Sequence, residues 1–390
     1  MGRYYYLLGI SVLLLFLVSC QRAEISLSGV YEQEIMDLGF DMDQPSALKH
    51  YLRLDDGSRI QMVFNLENES FQPGERLQVL EPGYLADQTI EVNAKSVFRR
   101  DKSINQGDSG IELKQRTGRN ILIVLVSDVD FANPYSGSEI MNMVQGDPLH
   151  VSGFYQEISN GQIQFNAQFT SLKIQEQLQC NTYWLEQNLA PLLKAQGFNT
   201  KNFHHLLFVT YGQCSYIGLA RIGGTIAHVD EPSPYAIAHE LGHNLGLGHA
   251  SGFVDGTWRE YGENSAVMGS GYHRMNAPHL VQLGWTPTGS VQTIKTKGRY
   301  VLNSLYPLRK SSIMTYDAGG NRYYISLRSA DGEFDQTLAS SLAAKVHVHT
   351  NLYFSKLERV MDVGESFVFP NGSAMLVEFI GPDQANLKLQ

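Results

Sequence analysis

The pattern of apolar and polar residues changes several times along the chain. Residues 21–44 are polar and mixed in character, which is typical of a tether. Residues 45–100 alternate short apolar runs with turn signals such as Asp55-Asp56-Gly57, a pattern that predicts a small N-terminal β domain. From Ser290 onward strand and turn signals predominate again, and they predict a β-sandwich-like C-terminal domain.

Between these two β regions the pattern predicts both strands and helices. The continuous apolar run Ile121–Val126 is typical of a strand buried on both faces, whereas Gln162–Phe169 alternates strictly and predicts a half-buried strand. Thr182–Gly197 has a helical pattern, and Pro191 is expected to kink or split that helix. We therefore predict an α+β fold for this central region.

The N-terminus indicates export. Arg3 precedes an apolar run, Tyr4–Val18, which has the layout of a secretory signal peptide. The run is short for a membrane-spanning helix, which needs about 20 residues. It ends in Leu17-Val18-Ser19-Cys20, which resembles the lipobox of bacterial lipoproteins. The resemblance implies lipidation of Cys20 and a location in the cell envelope, anchored to a membrane and facing outside the cytoplasm. The alternative is an ordinary signal peptide with a chance cysteine.

Charge and cysteine usage narrow the classes of protein further. The formal net charge of -9 argues against a nucleic-acid-binding surface, which requires clustered Lys and Arg. The sequence contains no Walker loop and no dinucleotide-binding glycine pattern. Besides Cys20, only Cys180 and Cys214 remain, an even pair that suits a disulfide in an oxidising compartment. Two unpaired buried thiols are the alternative.

The segment from His239 to His249, His-Glu-Leu-Gly-His-Asn-Leu-Gly-Leu-Gly-His, has the spacing of a metal site. Ser233 suits the N-cap of a helix and Pro234 suits its first turn. At about 100° per residue, His239 and His243 lie on one face of that helix, within about 40° of each other. Gly246 and Gly248 are expected to end the helix with positive φ, so that the chain returns His249 as a third ligand.

These residue types suit zinc hydrolysis. Three imidazoles bind zinc and leave one position open for water. Glu240 adjoins the ligands on the helix and can act as the general base for that water, while the metal stabilises the developing oxyanion. A chance match to the extended motif in such a chain is on the order of one in ten thousand. We therefore predict one Zn²⁺ ion bound by His239, His243 and His249; the motif itself leaves hydrolysis of a non-peptide bond as an alternative to a protein or peptide substrate, and nothing in the sequence decides whether Ca²⁺ binds.

At this point the sequence resembles the metzincin clan of zinc peptidases, in which the extended motif precedes a Met-turn. Ser265-Ala266-Val267-Met268-Gly269 is similar to that turn, which implies Met268 as a hydrophobic floor beneath the metal. Within the clan the chain is most similar to the gametolysin family, over roughly residues 119–289. Some metzincins have a tyrosine ligand two residues after the methionine, but Ser270 occupies that position here and Tyr272 is expected to have no ligand role.

These observations predict a metzincin-like catalytic domain with a mixed sheet and an active-site helix, flanked by two β domains. The predicted segments are a signal peptide (1–19), a tether (20–44), an N-terminal β domain and possible propeptide (45–100), a linker (101–118), the catalytic domain (119–289) and a C-terminal β domain (290–390). The linker region is polar and basic, so it is either an activation site or a plain spacer. Some relatives are kept latent by a propeptide cysteine, and residues 21–118 contain none.

Several weaker signals have two interpretations each. His347 and His349 share a strand face and either bind a second metal or, as we expect, are ordinary β-domain residues. Gly218–Val229 is either the cleft edge at which a substrate strand adds or a plain surface strand. His204 and His205 are expected to be structural, and so is His228, for which a place in the substrate cleft is the alternative. Asp128 and Asp130 either join a calcium site or, as we expect, are simply solvated. For the whole chain, the main alternative to an endopeptidase is an inactive peptidase-fold lipoprotein that acts as an adhesin or binding protein.

Overall fold

The computed structural model describes residues 26–39, 46–64, 71–80, 83–84, 89–92, 97–99, 118–146 and 148–390. The predicted signal peptide, Cys20 and nearly all of the predicted linker lie outside these residues. Within the described ranges, no helix has both the length and the apolar character needed to cross a membrane. The described chain is mixed α+β with strands predominating, which confirms the predicted fold class at that level.

The helices are short. In the described residues the α-helices are α1 (Gly137–Met141), α2 (Val151–Ile158), α3 (Thr182–Trp184), α4 (Ala190–Ala195), α5 (Pro234–Asn244) and α6 (Ala277–Gln282), and Thr200–Asn202 forms a short 3-10 helix. A π-helical turn, Leu185–Leu189, joins α3 to α4, and another, Asn142–Gly146, follows α1. The segment predicted as a helix that Pro191 kinks or splits is therefore three consecutive pieces, and Pro191 lies in the first turn of α4.

The strands in the described residues are β1 (Ser26–Asp37), β2 (Ala47–Leu54), β3 (Arg59–Phe64), β4 (Arg76–Leu80), β5 (Gly83–Tyr84), β6 (Thr89–Val92), β7 (Val97–Arg99), β8 (Arg119–Ser127), β9 (Phe165–Lys173), β10 (His205–Val209), β11 (Gly218–Arg221), β12 (Ile226–Val229), β13 (Ala250–Val254), β14 (Thr257–Arg259), β15 (Val291–Thr293), β16 (Gly298–Asn303), β17 (Ile313–Ala318), β18 (Asn321–Arg328), β19 (Lys345–Thr350), β20 (Ser355–Met361), β21 (Ser366–Val368), β22 (Ala374–Ile380) and β23 (Gln384–Leu389).

The largest sheet joins the N-terminal region to the central region. Its strand order is β5-β6-β3-β2-β1-β11-β12-β10-β8-β9, with β4 and β7 off this path. β9, β8, β10 and β12 are parallel neighbours, whereas β11 is antiparallel to β12 and β1 is antiparallel to β11. The N-terminal strands are thus continuous with the sheet that carries the motif helix.

The 12-residue strand β1 lies inside the segment predicted to be a tether. Its buried residues include every second position from Gly29 to Asp37, which is the period of a strand with one face covered, and Glu34 is buried on the other face. Because polar residues occupy part of this buried face, the segment lacks the apolar alternation by which a strand is usually identified. The tether prediction is wrong for residues 26–37.

The C-terminal region contains two further sheets. One has the order β14-β13-β20-β19-β18-β17-β15 and the other β16-β23-β22-β21, and apolar side chains of both form one core. β13 and β14 follow His249 directly in the sequence and yet belong to the first of these sheets. The predicted domain boundary at residue 289 therefore does not separate the sheets, because β13 and β14 of the central region belong to a sheet of C-terminal strands.

Candidate metal centre

Helix α5 carries the first two histidines, and local interactions determine where it begins and ends. Ser233 caps its N-terminus by accepting a hydrogen bond from the Ala236 amide at 3.1 Å. At the other end Gly246 has φ +99° and turns the chain away, as predicted. Gly248 does not have positive φ; a Cβ atom there would lie 2.7 Å from the Phe354 ring, so close packing is what requires glycine. One face of α5 is held in the core by Ile237 and Leu241.

The structure brings His239, His243 and His249 together, and all three are buried. Each ring has an acceptor opposite Nδ1: the Val267 carbonyl for His239, the Leu247 carbonyl for His243 and the Glu260 carboxylate for His249, each at 2.8 Å. Nδ1 therefore carries the hydrogen, which leaves Nε2 of a neutral ring as the atom that can bind a metal. This is the arrangement in which acceptors outside the ligand set orient metal-binding histidines.

A fourth side chain, Asp37 from β1, points into the same centre. Its Oδ1 lies 3.0 Å from Nε2 of His249, and its Oδ2 lies 3.3 Å from Nε2 of His243 and 3.5 Å from Nε2 of His239. The Tyr261 hydroxyl donates to Oδ1 at 2.5 Å. These three separations bracket the roughly 3.3 Å expected between neighbouring ligand atoms of a tetrahedral zinc site.

The charges and lone pairs of these buried side chains favour a bound cation. Burial lowers the pKa of His239 well below its usual value, so this ring is neutral. Burial opposes charge on His249, but Asp37 and Glu260 raise its pKa to about 9, so a proton can lie between His249 and Oδ1. Oδ2 and the Nε2 of His243 are buried without a hydrogen-bond partner. Lone pairs that face each other at such distances are stabilised by a shared metal ion, and the donor set of imidazoles and a carboxylate fits zinc.

Asp37 and Glu240 are both buried carboxyl groups, but they respond in opposite ways. Burial by itself would raise the pKa of Asp37, yet His249 and the other two imidazoles hold it well below its usual range. Burial and then the charge of Asp37 raise the pKa of Glu240 well above its usual range. Both oxygens of Glu240 are buried without a hydrogen-bond partner. A buried carboxyl group whose pKa is shifted in this way is typical of groups that transfer protons in active sites.

Gly218, the first residue of β11, leaves room for the Glu240 side chain. A Cβ atom at Gly218 would lie 2.0 Å from Oε1 of Glu240. The carboxyl group therefore lies directly against the backbone of the strand that borders the centre. Among the described residues, the outer edge of β11 is covered by β1, with Asp37 opposite Gly218 and Glu34 opposite Arg221.

Met268 is fully buried beneath the helix. A Cβ atom at Gly242 would lie 2.3 Å from its sulfur, so the helix can pack this closely only with glycine at that position. The preceding residue, Val267, supplies the carbonyl that orients His239. The turn predicted from residues 265–269 therefore lies next to the metal centre in the structure.

The other predicted residues lie outside this centre. Cys180 and Cys214 are joined by a disulfide. Tyr272 donates to the Leu149 carbonyl at 3.0 Å, and His228 is buried between the hydroxyls of Thr210 and Tyr216. His204, His205 and Asp128 also have intramolecular partners. The expectation of a solvated side chain is wrong for Asp128, which is buried, whereas Asp130 is exposed.

His347 and His349 lie in a second buried cluster. Nε2 of His349 lies 3.0 Å from the Glu263 carboxylate, and Nε2 of His347 lies 2.8 Å from the Leu342 carbonyl. Glu263 also accepts hydrogen bonds from Ser265 and from Asn276. The spacing of Glu263, His347 and His349 would admit a metal ion, but both Glu263 oxygens already accept hydrogen bonds. The cluster connects the Met268 loop to the C-terminal sheet.

Sequence reasoning missed Asp37, Glu260 and Tyr261. Asp37 is about 200 residues from His239 along the chain, and only the pairing of β1 with β11 brings it to the centre. For Asp37, the available signal was a polar residue on the buried face of a segment in which every second position is buried. Glu260 has a weaker signal, an acidic residue shortly after the third histidine.

Comparison with known proteins agrees with this geometry. Residues 145–359, more than half of the chain, match the family model described as gametolysin peptidase M11. No curated protein matches the sequence. A solved structure described as "Structure of a chaperone-substrate complex" shares 13% identity at a TM-score of 0.26, covering 59% of this chain and 36% of that one, a likeness too low to carry any argument. The family match shows that this chain belongs to the gametolysin family of metallopeptidases.

Proposed function

We propose that the protein is a zinc-dependent endopeptidase in which His239, His243 and His249 hold the metal and Glu240 is the general base. The observation that carries this proposal is the convergence of three buried Nε2 atoms, each on a ring whose Nδ1 is opposite an acceptor, beside a buried carboxyl group without a partner. A zinc ion bound there would supply Lewis acidity for the attacking water and for the developing oxyanion.

Glu240 supplies the proton transfers. Its carboxyl group takes a proton from the attacking water and returns it to the amine of the departing peptide. Burial strengthens this role, because electrostatic interactions with the reacting atoms are stronger away from water. Gly218 keeps β11 close to this carboxyl group, so a peptide paired with β11 would present its backbone beside Glu240.

The path of β1 supports cleavage within a chain rather than at a terminus. β1 runs along β11 up to Asp37, and the polypeptide continues beyond it. Further along, Ser46 donates to Glu260 from its amide at 3.0 Å. A polypeptide therefore passes the centre without ending there, which an endopeptidase requires. Protein or peptide substrates outside the cytoplasm are part of this proposal.

The finer assignments from the sequence belong to the same proposal. They are a metzincin-like layout with Met268 as the floor of the centre, flanking β domains, and a bacterial lipoprotein anchored through Cys20. Mass spectrometry of the mature N-terminus should find an acylated Cys20; an unmodified N-terminus beyond Cys20 in the membrane fraction would exclude the anchor.

The test uses the full chain with Asp37→Ala, cut by a protease between residues 100 and 118 to release β1 from β11, and compares it with two double variants treated in the same way. Adding Glu240→Gln should keep about one zinc per chain, because this glutamate is not a ligand, and should lower peptide hydrolysis by roughly 10²–10⁴-fold. Adding His243→Ala should lose the metal as well as the activity. Elemental analysis and digestion of a peptide library measure the two properties on one sample.

The outcomes separate the candidate functions. Equal hydrolysis with and without Glu240 would place the base elsewhere. Zinc binding with no hydrolysis across the library would instead favour the binding-protein interpretation. Glu240→Gln is the matched variant for this purpose, because it preserves the size of the side chain and removes only its capacity to take the proton.

A further inference from the structure

The strand β1 occupies the edge of β11, where a substrate strand would have to add. We propose that β1 is a built-in inhibitor, which binds the cleft as a substrate strand does and places the Asp37 carboxylate as the fourth ligand of the metal. This inference rests on the metalloendopeptidase function proposed above. It assigns a function to a segment for which the sequence predicts only a tether.

The contacts of Asp37 are those of a metal ligand. The side chain is fully buried, and its two oxygens lie within 3.5 Å of all three histidine Nε2 atoms. Three protein ligands leave zinc one open position, which a catalytic site reserves for water. A carboxylate oxygen in that position excludes the water on which hydrolysis depends. Tyr261 donates a hydrogen bond to Oδ1 and fixes the orientation of the group.

The backbone of β1 excludes a substrate as well. The Ile217 amide donates to the Asp37 carbonyl at 2.9 Å, and the Ile222 amide donates to the Gln33 carbonyl at 3.0 Å. One edge of a strand can pair with one neighbour at a time, so a substrate cannot pair with β11 while β1 is bound. Opposite Gly218, β1 presents the Asp37 side chain to the centre instead of a peptide bond, which explains how it could bind there without being cut.

A buried ionic network holds β1 in place independently of the metal. Glu34 is almost fully buried, lies 3.0 Å from the Arg59 guanidinium and accepts a hydrogen bond from the Thr182 amide at 3.3 Å. Glu186 of the central region pairs both with Arg53, at 2.9 Å, and with Arg221 of β11, at 3.1 Å.

The network thus includes groups from the N-terminal strands, from β11 and from the segment that contains α3. Breaking a buried pair leaves an uncompensated charge, which is strongly unfavourable. Loss of the Asp37 carboxylate alone should therefore leave the N-terminal strands folded. Release of β1 in the native protein requires a stronger event, and a cut between residues 100 and 118 is the one that the basic linker suggests.

The experiment uses the full chain with Glu240→Ala, so that self-digestion does not interfere, loaded with Co²⁺ as a spectroscopic substitute for zinc. Adding Asp37→Ala removes one ligand and should change the visible absorption of the cobalt. It should also open the position to acetohydroxamate, a small metal-binding probe. If the Asp37 carboxylate occupies the metal about 99% of the time, the chain that retains Asp37 will bind the probe about 100-fold more weakly than the chain with Asp37→Ala.

Two further variants serve as controls. Asp37→Cys replaces the carboxylate with another zinc ligand of similar size, so it should keep the probe out where Asp37→Ala admits it. Asp55→Asn makes a comparable change at an exposed position of the N-terminal strands and should behave like the parent chain. A merely structural role for Asp37 would not be rescued by a thiolate.

The outcomes distinguish this inference from the proposed function. A cobalt spectrum that is identical with and without the Asp37 carboxylate would overturn the ligand assignment, as would equal binding of acetohydroxamate by both chains. Failure of every variant to bind about one metal ion would instead refute the metal centre itself. A changed spectrum together with admission of the probe in Asp37→Ala alone would establish β1 as the inhibitor.

Discussion

Gly218→Ala tests how closely the Glu240 carboxyl group must be positioned. The added Cβ atom would lie 2.0 Å from Oε1, 2.5 Å from Cδ and 2.9 Å from Cγ of Glu240, whereas real Cβ contacts essentially never fall below 3.0 Å. The carboxyl group must therefore shift by at least about 1 Å. A misplacement of about 1 Å in a reacting group can cost about 10²-fold in rate.

We expect Gly218→Ala, in the Asp37→Ala chain cut between residues 100 and 118, to lower kcat by about 10²-fold, equivalent to about 2.7 kcal/mol of barrier. Zinc content should stay at about one per chain, because the three histidines do not contact the new methyl group. The melting temperature should change little, since the group that must move is the end of a flexible side chain. Steady-state kinetics on one fluorogenic peptide, elemental analysis and thermal unfolding measure these properties.

Gly381→Ala is the matched control, because it lies far from the centre and its Cβ atom would meet the half-exposed ring of Phe379 at 3.0 Å and the Gln384 carbonyl oxygen at 3.5 Å. It should leave kcat within about twofold of the parent, as expected of a surface substitution away from the site. Retention of full activity by Gly218→Ala would refute the reasoning, because it would show that the position of the Glu240 carboxyl group is not limiting. Loss of zinc would refute it in a different way, by showing that the substitution disturbs the ligands.

Two further predictions concern residues around the metal centre. Glu260→Gln removes the charge of the acceptor for Nδ1 of His249 and should reduce zinc affinity by about 10–100-fold. Competition with a chromophoric chelator measures this affinity, and an unchanged value would mean that Glu260 does not orient His249. Burial tends to raise the pKa of Glu263, but the neighbouring His349 lowers it to about 2, below the value of about 4.3 in an unfolded chain. Because the folded-state pKa is depressed, the ionised group stabilises the fold above about pH 4.3, by up to about 3 kcal/mol, and this contribution disappears as pH falls through 2. The gap in unfolding free energy between wild type and Glu263→Gln should therefore narrow between pH 5 and pH 2 in denaturant titrations, and a constant gap would contradict this account.

The parts of the candidate centre that local sequence determines were predictable. Ser233 and Pro234 indicate where α5 begins, and Gly246 indicates where it ends, because capping and positive φ depend on neighbouring residues alone. The spacing of the histidines then follows from the helical period. The structure places these residues where that reasoning expects them.

Pairing between distant segments was not predictable in the same way. β1 joins β11 across almost 200 residues, and its buried face carries Gln33 and Asp37, which a single sequence presents as polar. The same limit applies to β13, which pairs with β20 about 100 residues later. Strand partners are selected by packing and charge in the folded state, and the local pattern specifies only that a strand is possible.

The order of these segments along the chain has a consequence for biosynthesis. β13 begins at Ala250, immediately after His249, and pairs with Ser355 of β20, while the Gly248 amide donates to the Tyr353 carbonyl at 3.0 Å. The surroundings of the third histidine are thus complete only when residues 353–357 have been made. β1 emerges from the ribosome long before them, because synthesis and folding proceed from the N-terminus. The covering strand therefore already exists when the metal centre is first assembled, so a growing chain need not pass through a stage in which a finished centre is uncovered.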